Sequence, residues 1–144
     1  MGMVDVTEKP IIKRTAVASG RLYLSSGTLG IIKAGKVKKG DPLLIAEVAG
    51  MNAAKQTHLL VPHCHQIPLD MIKVDFEVND DSIDASCTVS AQARTGVEME
   101  ALVGVSIALN TILDTVKYIE KNPEGQYPHT RITDIKVVFK KKGE

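Results

Sequence analysis

The feature that most constrains the fold is a long amphipathic segment that runs from about residue 98 to residue 120. Its apolar residues recur at alternating spacings of three and four, which places them along one face of an α-helix. They are Leu102, Val105, Leu109, Ile112, Val116 and Ile119. We expect this face to pack on a sheet or another helix. Val103 and Ile107 lie roughly opposite and predict that a second face is also covered, most simply in a subunit interface.

Strand patterns flank this helix on both sides. Ile11 to Leu24 is rich in β-branched and small residues, and Met71 to Val78 alternates apolar with charged residues. A turn at residues 79–81 leads into a strand over Ser82 to Arg94, and a last strand covers Arg131 to Phe139. The order is strand, helices, two strands, helix, strand. It predicts a single α+β domain built on an antiparallel sheet.

A second helix is predicted from a strong start signal at Asp41-Pro42, an N-cap residue followed by a favoured first helical residue. The pattern continues to about Leu60, and Pro62 ends it. One side carries small residues, namely Ala46, Ala49, Gly50, Ala53 and Thr57. The other side carries Leu44, Val48, Met51 and Leu59. Both sides of this helix are therefore expected to be partly buried.

Composition excludes several classes of protein. The 18 basic and 17 acidic side chains leave a net charge of +1, and aromatic residues make up 3%, so we expect no nucleic-acid partner. No apolar stretch approaches the roughly 20 residues of a membrane span, and the N-terminus shows no secretory signal. Only Cys64 and Cys87 are present. We therefore expect a cytoplasmic protein without disulfides, membrane or nucleic acid.

A basic loop precedes the second helix. Lys33 to Gly40 contains four lysines and two glycines and is expected to be mobile. Lys36, Lys38 and Lys39 stand directly before the helix start, where free N–H groups and the helix dipole favour anions. The pattern fits either a phosphate site or an ordinary solvated loop, and spacing alone leaves both open.

A second candidate for chemistry is His63-Cys64-His65, which offers two imidazoles and a thiol. Structural zinc sites need four ligands, and the other soft residues, His58, Cys87 and His129, show no ligand spacing. The sequence therefore predicts no metal site, although a metal-binding protein remains an alternative.

The long helix also carries charged residues at both ends. Glu98 shares the side of the apolar stripe, so we expect it to be partly buried with a raised pKa. Asp114 and Lys117 are one turn apart and fit either a structural ion pair or an acid–base pair. Glu100 and Lys117 are 17 residues apart, about 26 Å along the axis, and cannot meet within one chain. An antiparallel copy of the helix across a two-fold axis could bring one end beside the other.

Taken together, the motifs resemble the molybdenum cofactor biosynthesis protein C (MoaC) family over nearly the whole chain. The most specific match is Thr95-Gly96-Val97-Glu98-Met99-Glu100-Ala101-Leu102, followed by Asp114 and Lys117 as Asp-x-x-Lys. Further matches are the segments at residues 3–6, 39–41, 49–57 and 62–65, together with Arg14 and Ala16. So many ordered matches do not arise by chance.

The resemblance implies a ferredoxin-like α+β subunit in a hexamer built as a trimer of dimers, with active sites at subunit boundaries. It implies a lyase that converts 3′,8-cyclised dihydro-GTP into cyclic pyranopterin monophosphate and releases pyrophosphate. It implies no cofactor, and leaves open Mg²⁺ as the counter-ion of the triphosphate.

By the same resemblance the site residues take distinct roles. Lys117, oriented by Asp114, is the principal acid or base, and Lys39 binds phosphate together with Arg14. His65, Glu98 and Glu100 bind the ring or relay protons, while Cys64 and Met99 shape the pocket.

The chain departs from the family pattern near its end, where a Lys- and Gly-rich tail is usual and this chain stops after Phe139-Lys140-Lys141-Lys142-Gly143-Glu144. Whether Lys140 or Lys142 replaces the tail lysine stays open. Apart from a metal-binding protein, the remaining alternative is a noncatalytic assembly subunit.

Overall fold

The structure is a computed structural model that describes residues 1–144. Its four strands are β1 (Ile12–Tyr23), β2 (Met71–Val78), β3 (Ser82–Ala93) and β4 (Arg131–Lys142). Its helices are α1 (Ser26–Lys33), α2 (Pro42–Lys55), α3 (Thr57–Leu60) and α4 (Glu98–Glu120).

The strands form one sheet in the order β2-β3-β1-β4, in which every neighbouring pair is antiparallel. This order arises from two split β-α-β units and is the ferredoxin-like arrangement. Helix α4 packs across β1, β3 and β4, while α2 packs on α4 and β2, so both lie on the same face. The predicted α+β fold with an antiparallel sheet is confirmed, and its helices lie on one face of that sheet.

The core lies between α4 and the sheet. The stripe residues Val105, Leu109, Ile112 and Val116 are fully buried, and Leu102 and Ile119 at its ends are half-buried. Facing them, β1 and β3 bury alternate residues, as a half-covered sheet requires.

The second face of α4 is less covered than the sequence suggests. Val103 is half-buried, and Ile107 is exposed in the single chain. The predicted interface on this face stays a prediction.

Helices α2 and α4 cross at a point where neither carries a side chain. A Cβ atom on Gly104 would lie 2.7 Å from Cys87 Sγ and 3.3 Å from the carbonyl oxygen of Gly50. A Cβ atom on Gly50 would in turn lie 3.1 Å from the Gly104 carbonyl oxygen. The small-residue side of α2 is thus explained, since it lets the two backbones touch.

The second helix differs from its prediction in length and in burial. It ends at Lys55, and a separate turn α3 follows. At the break, the Gln56 N–H donates to the carbonyls of Asn52 and Ala53, and the Thr57 hydroxyl donates to the carbonyls of Ala53 and Ala54. Such local bonds compete with continuation of the helix.

The outer side of α2 and α3 is not buried in the single chain. Leu44, Val48 and Leu59 are exposed, and only Met51 of the predicted set is half-buried. The prediction that both sides are covered is therefore wrong for the chain alone, because the sheet and α4 reach only the small-residue side.

Helix α1 was not predicted, since its eight residues include two glycines. Ser25 caps its N-terminus by accepting from the Thr28 N–H, and Glu120 at the end of α4 accepts from Ser25 and Thr28. Tertiary contacts with α4 therefore stabilise a segment of weak helix propensity.

Helix α4 is long and apolar enough, by length and composition alone, to cross a membrane. The expectation that no apolar stretch approaches the length of a membrane span is therefore wrong for α4. Half of the apolar window is buried inside the fold, and the side chains of α4 form the core against the sheet. This is the behaviour of a core helix.

Candidate active site

The first charged cluster lies where α4 begins. The side chain of Glu100 points into the fold and is 3% exposed. Its Oε2 accepts a hydrogen bond from the Cys64 thiol at 3.5 Å, while its Oε1 is buried without a hydrogen-bond partner. Burial raises the pKa of Glu100 above the ordinary value. Burial, together with the adjacent carboxylate, raises the pKa of Cys64 to about 11. Both shifts favour the protonated form more than an exposed side chain of the same type would.

His65 lies beside this pair at the mouth of two cavities. Its Nε2 is 2.7 Å from the carbonyl oxygen of Val4, so the N-terminal segment folds against it. One cavity has a volume of about 290 Å³ and extends from His65 to Gln92, Arg94 and Thr95. The other, of about 420 Å³, lies between His65, Arg94 and the N-terminal segment. His65 is thus placed to touch a bound ligand.

Glu98 differs from its predicted state. Its side chain is half-buried, as expected, and burial works to raise its pKa. The Lys140 ammonium, 2.6 Å from Oε1, together with the main-chain N–H of Glu98 and the charge of Arg14, outweighs that effect and leaves the pKa of Glu98 below the ordinary value. The predicted raised pKa is wrong because β4 brings a cation that the position of Glu98 on the helix does not reveal. The same ion pair shows that Lys140, from the end of the chain, reaches this cluster.

Arg14 is buried in β1 and is not free to bind a phosphate in this structure. Its Nε donates to the carbonyl oxygen of Ala93 and one terminal nitrogen donates to that of Arg94. Met99 lies on the surface and is 39% exposed. Of these two predicted ligand-binding residues, Arg14 is occupied by the backbone and Met99 is accessible.

The second charged cluster lies near the other end of α4. Asp114 and Lys117 form an ion pair of 2.9 Å, and Lys39 Nζ donates to the Asp114 carbonyl oxygen at 3.0 Å. Lys117, with Lys39 nearby, lowers the pKa of Asp114, and Asp114 raises the pKa of Lys117. The structure therefore brings three predicted residues together, with Lys117 on the Asp114 carboxylate and Lys39 on the Asp114 main-chain carbonyl.

Tyr118 is a residue of this cluster that spacing did not reveal. Its hydroxyl accepts a hydrogen bond of 2.9 Å from the main-chain N–H of Lys38. This contact and the Lys39 bond both hold the basic loop to α4. The only sequence signal was position, since Tyr118 directly follows Lys117.

Arg94 was also missed, although it lines both cavities beside His65. Its signal in the sequence was its place immediately before the Thr95-Gly96 motif.

The two clusters occupy opposite ends of one rigid helix. Glu100 and Lys117 remain about 26 Å apart along the helix axis. The structure thus joins Cys64, His65, Glu98 and Glu100 at one end, and Lys39, Asp114 and Lys117 at the other.

No group of three or more His, Cys, Asp or Glu side chains is placed to hold a metal ion. His63 and Cys64 lie within a turn in which the Cys64 N–H donates to the Val61 carbonyl, and His65 follows that turn.

Fold and site together define a class of protein. It is a small ferredoxin-like α+β enzyme whose central helix carries Glu98 and the buried Glu100 at one end and the Asp114–Lys117 ion pair at the other. Such a set of groups suits proton transfer on an anionic substrate.

Comparison with known proteins identifies the family. Residues 3–143 match the model of the MoaC family, and the chain belongs to that family. A protein of Thermococcus kodakarensis is 54% identical over 99% of this chain and 91% of its own length. One of Thermococcus onnurineus is 51% identical over the same shares of both chains. Both are named probable cyclic pyranopterin monophosphate synthase.

A third relative carries a different name. A protein of Methanothermobacter thermautotrophicus is 46% identical over 99% of this chain and 89% of its own length. It is named a probable cyclic pyranopterin monophosphate synthase accessory protein.

Proposed function

We propose that this chain is a cyclic pyranopterin monophosphate synthase of molybdenum cofactor biosynthesis. It converts the 3′,8-cyclised dihydro derivative of GTP into cyclic pyranopterin monophosphate and pyrophosphate. The observation that carries the proposal is the pairing of two charged clusters at the ends of α4, built from the residues of the family motifs. Relatives of about half-identical sequence carry the name of this activity.

The reaction needs proton transfers at two places. The purine-derived ring opens and recloses as a pterin, and a sugar hydroxyl attacks the α-phosphorus. A new P–O bond forms there, the bond to the pyrophosphate group breaks, and the hydroxyl proton passes to a base. Neither step needs a redox cofactor, so we propose none, with Mg²⁺ as an optional counter-ion of the triphosphate.

Lys117 is the principal acid or base in this scheme. Asp114 raises its pKa, so the resting side chain is an ammonium that enters the reaction as a proton donor. Asp114 accepts from Lys117 at 2.9 Å and so orients it. Lys39, held by the main-chain carbonyl of Asp114, supplies positive charge for phosphate oxygens.

The other cluster handles the ring. Glu100 in its protonated form can donate to a ring nitrogen or oxygen, and its unpartnered Oε1 leaves one atom available for that contact. His65 and Glu98 relay protons towards solvent, while Cys64 and Met99 shape the pocket wall. Arg14 acts through the backbone that it holds.

Because the clusters are about 26 Å apart, one chain cannot complete the site. We propose a hexamer, a trimer of dimers, in which a two-fold axis places the Glu100 end of one copy against the Lys117 end of its partner. The exposed apolar side of α2 and α3 is consistent with further subunit contacts. The assembly acts in the cytoplasm on a small-molecule substrate, without nucleic acid or membrane.

The direct test supplies the purified protein with the cyclised GTP intermediate. The expected products are cyclic pyranopterin monophosphate and pyrophosphate in equal amounts. Lys39→Ala is expected to lose activity, and Lys36→Ala, which removes an exposed lysine of the same loop, serves as its matched control. Absence of product from the wild type, or full activity of Lys39→Ala, would overturn the assignment.

A subunit-mixing experiment tests the shared site. Lys117→Ala and His65→Ala chains, carrying different tags, are co-expressed and the mixed assemblies isolated. If each site takes one cluster from each copy, random mixing restores about a quarter of wild-type activity, since half the pairs are mixed and one of their two sites is intact.

The matched control mixes Lys39→Ala with Lys117→Ala, which both damage the same cluster. No site in that mixture is intact, so no activity should return. Equal behaviour of the two mixtures would show that the clusters do not combine between copies.

A noncatalytic accessory role is the second candidate, favoured by the name of the Methanothermobacter relative. The same product assay separates the two, because an accessory subunit gives no product alone but raises the rate of an active relative when mixed with it. Metal analysis of the purified protein tests the metal-binding alternative, for which a stoichiometric transition metal would count.

A further inference from the structure

Arg94 stands apart from the other arginines of the chain. Arg14 donates to two backbone carbonyls, Arg21 pairs with Asp84 at 2.7 Å, and Arg131 lies over the ring of Tyr23. The Arg94 guanidinium makes no hydrogen bond and no ion pair within the chain. The five N–H donors of this permanently charged group therefore have no partner within the chain.

Arg94 lies where these donors can contact a bound ligand. Arg94 is exposed and directly follows β3, where it lines both the 290 Å³ and the 420 Å³ cavity that open beside His65. A single cation thus borders the two spaces in which a ligand could contact His65.

The main chain at Arg94 is held in place by side-chain hydrogen bonds. Arg14 donates to the Ala93 carbonyl at 3.3 Å and to the Arg94 carbonyl at 3.1 Å. The neighbouring Gln92 N–H donates to the Asp70 carboxylate at 2.8 Å. Because the main chain is already ordered, only the side chain must be ordered when a ligand binds, which lowers the entropy cost of binding.

We propose that Arg94 is a further substrate-binding residue, which holds the two phosphates that leave as pyrophosphate. This inference rests on the proposed function. A guanidinium matches phosphate oxygens with two parallel hydrogen bonds, which a lysine cannot do. It also takes over the phosphate contact that the family resemblance implied for Arg14, whose donors the backbone occupies.

The outer edge of the cavities is the place for this group. Neither Glu98, ionised at neutral pH, nor the buried Glu100 lines either cavity, so phosphates at Arg94 avoid both carboxylates. The exposed rim at Arg94 lets the leaving pyrophosphate depart into solvent once its bond to the α-phosphorus breaks.

The test measures binding of inorganic pyrophosphate by calorimetry and the KM for the cyclised GTP intermediate. Arg94→Gln is expected to raise both the pyrophosphate Kd and the KM by roughly tenfold to a hundredfold, the usual loss for a charge-assisted pair. Arg94→Lys keeps the charge but not the paired geometry and should lose less. Arg131→Gln removes an equal charge away from the cavities and should change neither value by more than about twofold.

Three outcomes decide the matter. A Kd of Arg94→Gln within about twofold of wild type, or no pyrophosphate binding by the wild type at millimolar concentration, overturns the inference. If Arg94→Gln loses pyrophosphate binding while the wild type makes no product, the anion site stands and the proposed synthase activity falls. If Arg94→Gln binds normally and the wild type makes product, only the role of Arg94 falls.

Discussion

The two ends of α4 place the same kinds of side chain in opposite environments. Glu100, at the first end, is 3% exposed, and its burial raises its pKa. The Asp114 side chain, at the far end, is 67% exposed, and Lys117 lowers its pKa. Two carboxylates on one helix therefore have pKa values shifted in opposite directions. The difference teaches that burial raises the pKa of a carboxylate at one end of the helix, while an ion pair lowers the pKa of a carboxylate at the other.

The largest expected effect comes from the exposed end. Lys117→Ala should lower kcat by about 10²–10⁴-fold, the usual contribution of a positioned proton donor. The folded state should be unaffected, because an exposed ion pair adds little stability. Steady-state kinetics with the cyclised GTP intermediate, together with a thermal melt, measure both.

Lys121→Ala is the control for Lys117→Ala, since it removes an exposed lysine just beyond the end of the helix. Equal activity of the two variants would remove Lys117 from the mechanism.

The next effect concerns the crossing that links the two ends. Gly104→Ala should destabilise the fold by about 1–3 kcal/mol, because its Cβ would meet Cys87 Sγ at 2.7 Å. Chemical denaturation measures the effect.

Gly30→Ala serves as the control for Gly104→Ala, as nothing lies within 4 Å of its added Cβ. In the middle of α1 it should stabilise the fold by up to about 1 kcal/mol. Equal destabilisation by both variants would show that the crossing is not tightly packed.

A smaller effect distinguishes the ends by the sign of their pH dependence. Because the folded pKa of Glu100 is raised, the folded chain holds more protons than the unfolded one between the two pKa values. Stability therefore falls as the pH rises through that interval. Glu100→Gln should remove this pH-dependent loss of stability. Relative to the wild type, the variant should therefore gain stability only above pH about 4.3, the pKa of an unfolded glutamate.

Asp114→Asn should show the opposite sign. The pKa of Asp114 is lowered in the folded chain, so its stabilisation is present above pH about 3.9 and is lost as the pH falls through the folded value. Denaturation curves from pH 3 to pH 8, as a rough range, record both signs. The same sign for both variants would contradict the contrast between the ends.

The smallest effect is on the reactivity of Cys64. With a pKa of about 11, its alkylation by iodoacetamide should be slow at neutral pH and rise about tenfold for each pH unit up to pH 9 or so. Glu100→Gln removes the adjacent carboxylate and should speed the reaction a few-fold, since burial, the larger cause, remains. Mass spectrometry follows the modification at Cys64.

Cys87 is an internal control for this measurement, because it is fully buried and should stay unmodified while the chain is folded. A rate for Cys64 like that of a free thiol would show that the Glu100 end is open to solvent.

Much of the fold could be predicted from local patterns. Alternation placed β2 at the residues where the structure has it, and the three–four spacing placed α4 with its buried side. Helix α1 escaped because its glycine-containing segment forms only with the help of Glu120, 92 residues beyond Thr28. The break at Gln56 was not predicted, because the hydroxyl of Thr57 competes for main-chain carbonyls of the helix. Hydrophobic periodicity carries no information about such a bond.

The candidate site divides in the same way. The sequence alone determined that acids stand at one end of α4 and Asp114 with Lys117 at the other, since a helix converts spacing along the chain into distance. Only the tertiary structure decided their chemical states. Lys140 lowers the pKa of Glu98, and Arg14 binds carbonyls of residues far along the chain. Burial leaves Glu100 without a partner for one oxygen. The reason is physical: a pKa depends on desolvation and on neighbouring charges, and both are set by contacts between distant segments.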